Sequence, residues 1–257
     1  MVSRSAIAIA SAVFAVQSAT AAPAKGGKFI VGGQAANEGE FPFIVTVLLN
    51  GTHYCGGTLV NEDTVVTASH CTKSDVSGYE IRAGSLAWAS GGTKVKVASA
   101  VRHPGYNSTN YDNDVAVWKL ATPIPESSTI QYAKLPAQGS DPASGSNATV
   151  AGWGRLTEGG TVPARLQKVT VPVVDRGTCK VAYSTPTPSE VTENMFCAGL
   201  EQGGQDACQG DSGGPIVDTA TGALIGVVSW GVGCARPDKY GVYTRLGNYV
   251  DFVEKYL

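Results

Sequence analysis

The residues with the clearest capacity for chemistry are a serine, a histidine and an aspartate, far apart in the chain. Ser212 stands in Gly210-Asp211-Ser212-Gly213-Gly214-Pro215. Glycines around a serine permit a tight turn that exposes the hydroxyl and leaves backbone N–H groups free. Those are the needs of a nucleophile beside an oxyanion hole. A serine hydroxyl is a poor nucleophile at neutral pH and requires a base, usually histidine. Of the three histidines, His53 and His103 read as structural or exposed. His70, in Thr67-Ala68-Ser69-His70-Cys71, abuts a cysteine whose disulfide would hold it in place. Asp114 opens an apolar run in Tyr111-Asp112-Asn113-Asp114-Val115-Ala116, and a carboxylate there needs a partner such as an imidazole N–H. A calcium-loop reading of the same stretch fails, because no further carboxylates or glycine follow at EF-hand spacing.

The elements that must position these groups read as short strands. Phe43–Leu49 ends at Asn50-Gly51, Thr93–Val97 follows Gly91-Gly92, and Gln167–Val171 alternates polar and apolar residues. Val115–Leu120 and Leu224–Trp230 read as buried strands. Many short strands between Gly-rich turns predict an all-β sandwich or barrel rather than a βαβ fold. Only the last segment reads as a helix, with Val250, Val253 and Leu257 on one face and Asn248 with Asp251 as a capping pair. Residues 136–147, rich in Pro, Gly and Ser, predict an internal boundary between 30–136 and 137–257.

Composition sets the wider limits. The 257 residues are 43% apolar and 16% charged, with a formal charge of −2. That supports a sizeable core and argues against disorder and against a nucleic-acid partner. Residues 1–21 carry Arg4, an apolar stretch and a small-residue run, the order of a secretory signal peptide. No later apolar run is long enough to span a bilayer, so a secreted, extracellular chain is expected and no membrane partner. Export makes an even cysteine count meaningful. Cys55, Cys71, Cys179, Cys197, Cys208 and Cys234 allow 15 pairings, and the residues alone select none. Without C-x-x-C spacing, and with three histidines, a zinc site is a poor reading. Sequons at Asn50, Asn107 and Asn147 could carry glycans in a eukaryotic host.

The motifs around His70, Asp114 and Ser212, with Ile30-Val31-Gly32-Gly33, resemble the trypsin branch of the chymotrypsin-like serine proteases from Ile30 to the C-terminal helix. The short three-disulfide form is most similar to secreted fungal trypsins. The resemblance implies two six-stranded antiparallel β-barrels with the active site between them and a C-terminal helix. His70 and Asp114 would lie on the first barrel and Ser212 on the second. It implies the pairs Cys55–Cys71, Cys179–Cys197 and Cys208–Cys234. It also implies a triad of His70, Asp114 and Ser212, an oxyanion hole from the N–H groups of Gly210 and Ser212, and hydrolysis through an acyl-enzyme. Activity that needs a neutral imidazole falls as pH drops through about 6.5. Ser69, where alanine is usual, is a small departure.

Asp206 matches the family's specificity-pocket floor, implying cleavage after Arg and Lys in protein and peptide substrates. Gly231 and Gly241 match the pocket walls, and Ser229-Trp230-Gly231 matches the edge that receives substrate as an added strand. Ala207 replaces a usual serine, which predicts Arg favoured over Lys more than is common. Tyr240 stands where some relatives bind sodium. Residues 84–102, matching the vertebrate calcium loop, contain no Asp or Glu, so no metal or other cofactor is expected and a chelator should leave activity intact. Residues 22–29 read as an activation propeptide, after which the Ile30 ammonium would pair with Asp211. Phe29, where Lys or Arg is usual, implies a different activating protease or trimming. Protein inhibitors are candidate partners, and a monomer is the default. The competing reading is a catalytically inactive relative acting as a secreted binding protein, against which the complete triad speaks.

Overall fold

A computed structural model describes Met1 and residues 30–184 and 191–257. The signal-peptide and propeptide readings, including Phe29, lie outside the described residues apart from Met1. Among the described residues, thirteen strands and two short α-helices follow one another. Strands β2 (Ile44–Leu49), β3 (Thr52–Leu59), β4 (Thr64–Thr67), β5 (Tyr79–Ala83), β6 (Thr93–Arg102) and β7 (Ala116–Leu120) close a barrel in the order β2-β3-β4-β7-β6-β5. A second set comprises β8 (Asn147–Gly152), β9 (Gln167–Val174), β10 (Met195–Ala198), β11 (Pro215–Asp218), β12 (Leu224–Trp230) and β13 (Gly241–Arg245). Its order is β9-β10-β13-β12-β11-β8, closed by pairing of β8 with β9. The fold is thus the expected pair of six-stranded antiparallel barrels.

Local sequence accounts for this. In β9 the alternation of Gln167–Val174 puts Val169, Val171 and Val173 inside. Each such side chain contributes roughly 1.5–3 kcal/mol on burial. The β2–β3 hairpin turns at Asn50 and Gly51, whose φ values of 51° and 80° suit the turn that matches strand twist. The first core centres on Val45, Leu59, Val66, Ile81 and Trp118, and the second on Val150, Val169, Phe196, Ile216 and Val228.

The two ends of the chain cross over. Strand β1 (Gln34–Ala35) pairs with β9 of the second barrel, and Ile30 is buried in the second core. Helix α2 (Val250–Glu254) returns to the first barrel, where the rings of Phe252 and His103 lie 4.9 Å apart. Nearby, Lys119 Nζ donates to the Tyr256 carbonyl at 2.9 Å. Each barrel therefore holds a terminus of the other's half.

Two expectations need correction. Asn248 and Asp251 form no capping pair. Asn248 Nδ2 donates instead to the Glu193 carbonyl and to Asn194 Oδ1, while the Asp251 N–H is taken by Gln138 Oε1. Leu257 is 53% exposed, because the helix ends three residues before it. A second helix, α1 (Arg176–Ala182), also forms, capped by Asp175 Oδ1, which accepts the Thr178 N–H at 2.9 Å.

Three disulfides join Cys55–Cys71, Cys179–Cys197 and Cys208–Cys234, the pairs the family resemblance implies. Each loop closure contributes about 3 kcal/mol in the chain-entropy account.

Candidate active site

A cleft of about 350 Å³ between the barrels is lined by His70 from the first and by Asp206, Ser212, Ser229, Gly231 and Gly241 from the second. His70 lies in the short 3₁₀ turn Ser69–Cys71 after β4. Ser69 Oγ anchors that turn by donating to the Val115 carbonyl at 2.7 Å, and Cys71 is bonded to Cys55 on β3. Asp114 is fully buried yet completely engaged. Its Oδ1 accepts the His70 backbone N–H at 2.9 Å, and its Oδ2 accepts His70 Nδ1–H at 2.7 Å and Ser229 Oγ–H at 2.6 Å. The imidazole is thereby fixed with its proton on Nδ1 and Nε2 left as the basic nitrogen.

Ser229 reaches Asp114 because of a strand irregularity. In the β12–β13 ladder Val228 faces Tyr243 and Trp230 faces Val242, leaving Ser229 as the extra residue of a bulge. The bulge re-aims its hydroxyl across the barrel interface. Beyond Trp230 the ladder stops, so Gly231 runs along the cleft without a strand partner.

Ser212 sits on a turn closed by Asp211 N–H to the Cys208 carbonyl and Gly214 N–H to the Asp211 carbonyl, both at 2.9 Å. Gly210 takes φ +104°, a conformation that suits glycine. The Ser212 carbonyl accepts the Gly56 N–H at 2.8 Å, which pins the turn to the first barrel beside Cys55. Among the described residues, the N–H groups of Gly210 and Ser212 donate to no protein acceptor, so the turn offers two unpaired donors beside a hydroxyl.

Asp211 is buried with Oδ1 on the Gly154 N–H at 2.6 Å and Oδ2 on the Cys208 N–H at 2.9 Å. A Cβ at Gly152 or Gly154 would lie 2.1 Å from one of its oxygens, so the Gly152-Trp153-Gly154 segment is shaped around this carboxylate. Burial raises its pKa to about 6. Ile30 is also fully buried in the second core.

Asp206 differs from both. Its Oδ2 accepts the Ala235 N–H at 2.9 Å, but Oδ1 is buried with no hydrogen-bond partner among the described residues, as is Tyr243 Oη. Burial pushes its pKa up to about 7. The two wall glycines play unlike parts. A Cβ at Gly241 would sit 2.7 Å from Asp206 Oδ1 and 2.8 Å from Tyr243 Oη, whereas at Gly231 nothing lies nearer than 3.8 Å. Gly241 gives room to the carboxylate, whereas a Cβ at Gly231 would make only ordinary contact with the Tyr240 carbonyl oxygen and Tyr183 Oη.

Several contributors escape a reading of the residues alone. His53, half-buried, supports the site from behind the cleft lining. Its Nε2–H donates to the Gly210 carbonyl at 2.9 Å, and Nδ1 accepts Thr46 Oγ1–H at 2.7 Å. Desolvation lowers its pKa to about 4, so it stays neutral in this role. Tyr111 holds φ +59° with its ring edge against the His70 ring at 5.7 Å. Tyr240 is buried, and its carbonyl accepts Tyr183 Oη–H. The grouping of Cys55, His70 and Cys71 has ligand atoms close enough for a metal, but both sulfurs are in one disulfide.

Comparison with known proteins agrees with this geometry. The trypsin family model matches residues 30–253. Trypsin Blo t 3 of Blomia tropicalis is 44% identical over 230 residues, 88% of this chain and 85% of that protein. Cationic trypsin-3 of Rattus norvegicus is 41% identical over 230 residues, 88% of each. The vitellin-degrading protease of Bombyx mori is 42% identical over 227 residues, 88% of this chain and 84% of its own. The chain belongs to the trypsin family and is a serine endopeptidase of the trypsin type.

Proposed function

We propose that this protein is a secreted endopeptidase that cleaves after Arg and Lys through an acyl-enzyme, with Ser212 as nucleophile and His70 as base. Ser212 Oγ attacks the scissile carbonyl carbon while its proton passes to His70 Nε2. The carbonyl oxygen becomes an oxyanion held by the N–H groups of Gly210 and Ser212. Collapse expels the amine, which leaves with the proton from His70. Water then repeats the sequence on the ester and returns Ser212 to its hydroxyl form. Asp114 holds the tautomer and stabilises the imidazolium, and Ser229 Oγ–H on the same carboxylate oxygen keeps it aligned.

The observation that carries the specificity is the unpartnered Asp206 Oδ1 in the cleft. A buried carboxylate with an empty lone pair gains most from a cationic side chain that brings donors with it. The guanidinium fork can meet Asp206 without help from residue 207, where alanine supplies no hydroxyl, so Arg is favoured over Lys. The absence of a side chain at Gly231, a residue of the cleft wall, leaves room for the long side chain to pass. Three disulfides fit an extracellular setting. Removal of residues 1–29 would expose an Ile30 ammonium for the raised, buried Asp211. A preparation that begins at Phe29 and is fully active would contradict that step. A chelator is expected to leave activity intact.

The test is kcat/KM on matched peptide substrates ending in Arg, Lys or Phe, with protein verified to begin at Ile30. Arg above Lys, and both far above Phe, is expected. Preference for Phe would remove Asp206 from the pocket floor, and no turnover would favour a binding protein.

A further inference from the structure

The loop between β5 and β6, residues 84–92, reaches across to the second barrel, and one arginine organises it. Arg82 on β5 donates Nε–H to the Trp88 carbonyl at 3.0 Å and Nη2–H to the Ala89 carbonyl at 3.3 Å, and Nη1–H bonds the Gly91 carbonyl. The loop contains no Asp or Glu, and it meets this guanidinium with backbone carbonyls. Ser85 Oγ ties the loop from within, accepting the Ala87 N–H at 3.0 Å and donating to the Ser90 carbonyl at 2.7 Å. At Gly92, φ is +58° and a Cβ would lie 2.0 Å from the Ala83 carbonyl, so the loop closes tightly onto β5.

The far side of this loop bears on the Ser212 turn by two routes. The Leu86 carbonyl accepts both Trp153 Nε1–H at 2.8 Å and the Leu166 N–H at 2.7 Å, fastening Trp153 between the glycines that enclose Asp211. On the other route, the Trp88 ring lies 6.3 Å from His53, which grips the Gly210 carbonyl. Thr46, the second partner of His53, stands directly opposite Arg82 in the β2–β5 ladder and so shares its face.

We propose that Arg82 is a positioning residue for the oxyanion turn: a half-buried cation that orders residues 85–91 and through them fixes Trp153 and His53. It lies outside the residues lining the cleft, and the Asp206 pocket is built from other segments. Its loss therefore weakens transition-state stabilisation while leaving ground-state capture of a cationic side chain intact. This inference rests on the proposed roles of Gly210 and Ser212.

The test compares Arg82→Met and the milder Ser85→Ala with the unaltered enzyme, well below each protein's Tm. Three quantities are read: kcat on an Arg peptide, the inhibition constant of benzamidine, and the rate at which an organophosphate labels Ser212. For Arg82→Met, kcat and labelling rate are expected to fall about tenfold, short of the hundredfold or more that follows deletion of an oxyanion donor. The benzamidine constant should stay within about twofold, since uniform binding is untouched. Ser85→Ala should move the same way by less, and it decides the matter if Arg82→Met does not fold. Unchanged kcat and labelling with only a lowered Tm would overturn the proposal, as would a parallel loss of benzamidine binding. If the unaltered enzyme fails to turn over Arg peptides, the substrate reading fails instead, and the labelling rates still decide the part played by Arg82.

Discussion

The first barrel brings to the cleft polar groups whose partners are already in place, while the second brings groups that still lack them. His70 and Asp114 are joined at 2.7 Å, and Asp114 also holds the His70 N–H and the Ser229 hydroxyl. Across the cleft, Asp206 Oδ1 and Tyr243 Oη are buried without partners among the described residues. The N–H groups of Gly210 and Ser212 have no acceptor among those residues. In the proposed mechanism the base is built before substrate arrives, and the pocket and turn are completed by it. Buried polar groups left unpaired cost free energy, so in the cleft lining they are where a ligand's polar atoms would gain most.

The sharpest break of this contrast is Ser212→Ala, which should lower kcat by about 10⁶ while substrate binding persists. Asp114→Asn should follow at roughly 10⁴-fold in kcat, the scale a wrong tautomer costs in this family. Both are read from steady-state kinetics, with circular dichroism to confirm the fold. Asp206→Ser attacks the other side. It should cost kcat/KM on Arg peptides about 10⁴-fold and leave organophosphate labelling of Ser212 nearly unchanged, because the base and turn are separate from the pocket. Gly231→Val should weaken Arg peptides mainly through KM, because Gly231 lines the cleft and a Cβ there clashes with no protein atom, so the added side chain takes up pocket volume.

His53→Phe probes the first barrel's hidden contribution. Freeing the Gly210 carbonyl should lower kcat on the order of tenfold, with benzamidine binding retained. The smallest effect is on stability. His53 has a lowered pKa of about 4, so the folded state resists a proton that the unfolded chain accepts below about 6.5. Stability from this group is lost as pH falls through that window. Asp206 and Asp211 have raised values, about 7 and about 6, so their contribution is lost as pH rises from about 4 toward 7. Melting curves of His53→Phe against the parent between pH 4 and 7 check the first sign.

Much of this site is legible in the sequence because its key residues sit in locally distinctive settings. Ser212 is ringed by glycines, His70 touches a cysteine, and Asp114 opens an apolar strand. The supporting groups are not legible, since they act across long separations. His53 reaches Gly210 over 157 residues, and Ser229 reaches Asp114 over 115 through a bulge that no periodicity announces. Helix α1 has seven residues, too few for a helical period to stand out, although Asp175 before Thr178 is a local cap signal. Asn248 illustrates the reverse case, where tertiary partners Glu193 and Asn194 overrode a plausible local cap.

The central claim is that Asp206 keeps one carboxylate oxygen for a cation, and the pH dependence of benzamidine inhibition tests it most directly. With the free carboxyl near pKa 7, a ligand that needs it ionised must displace a proton at lower pH. The inhibition constant should therefore weaken roughly tenfold to hundredfold between pH 8 and pH 5. A constant that stays level over that range would show that Asp206 is already ionised and satisfied in the free enzyme, and would contradict the account.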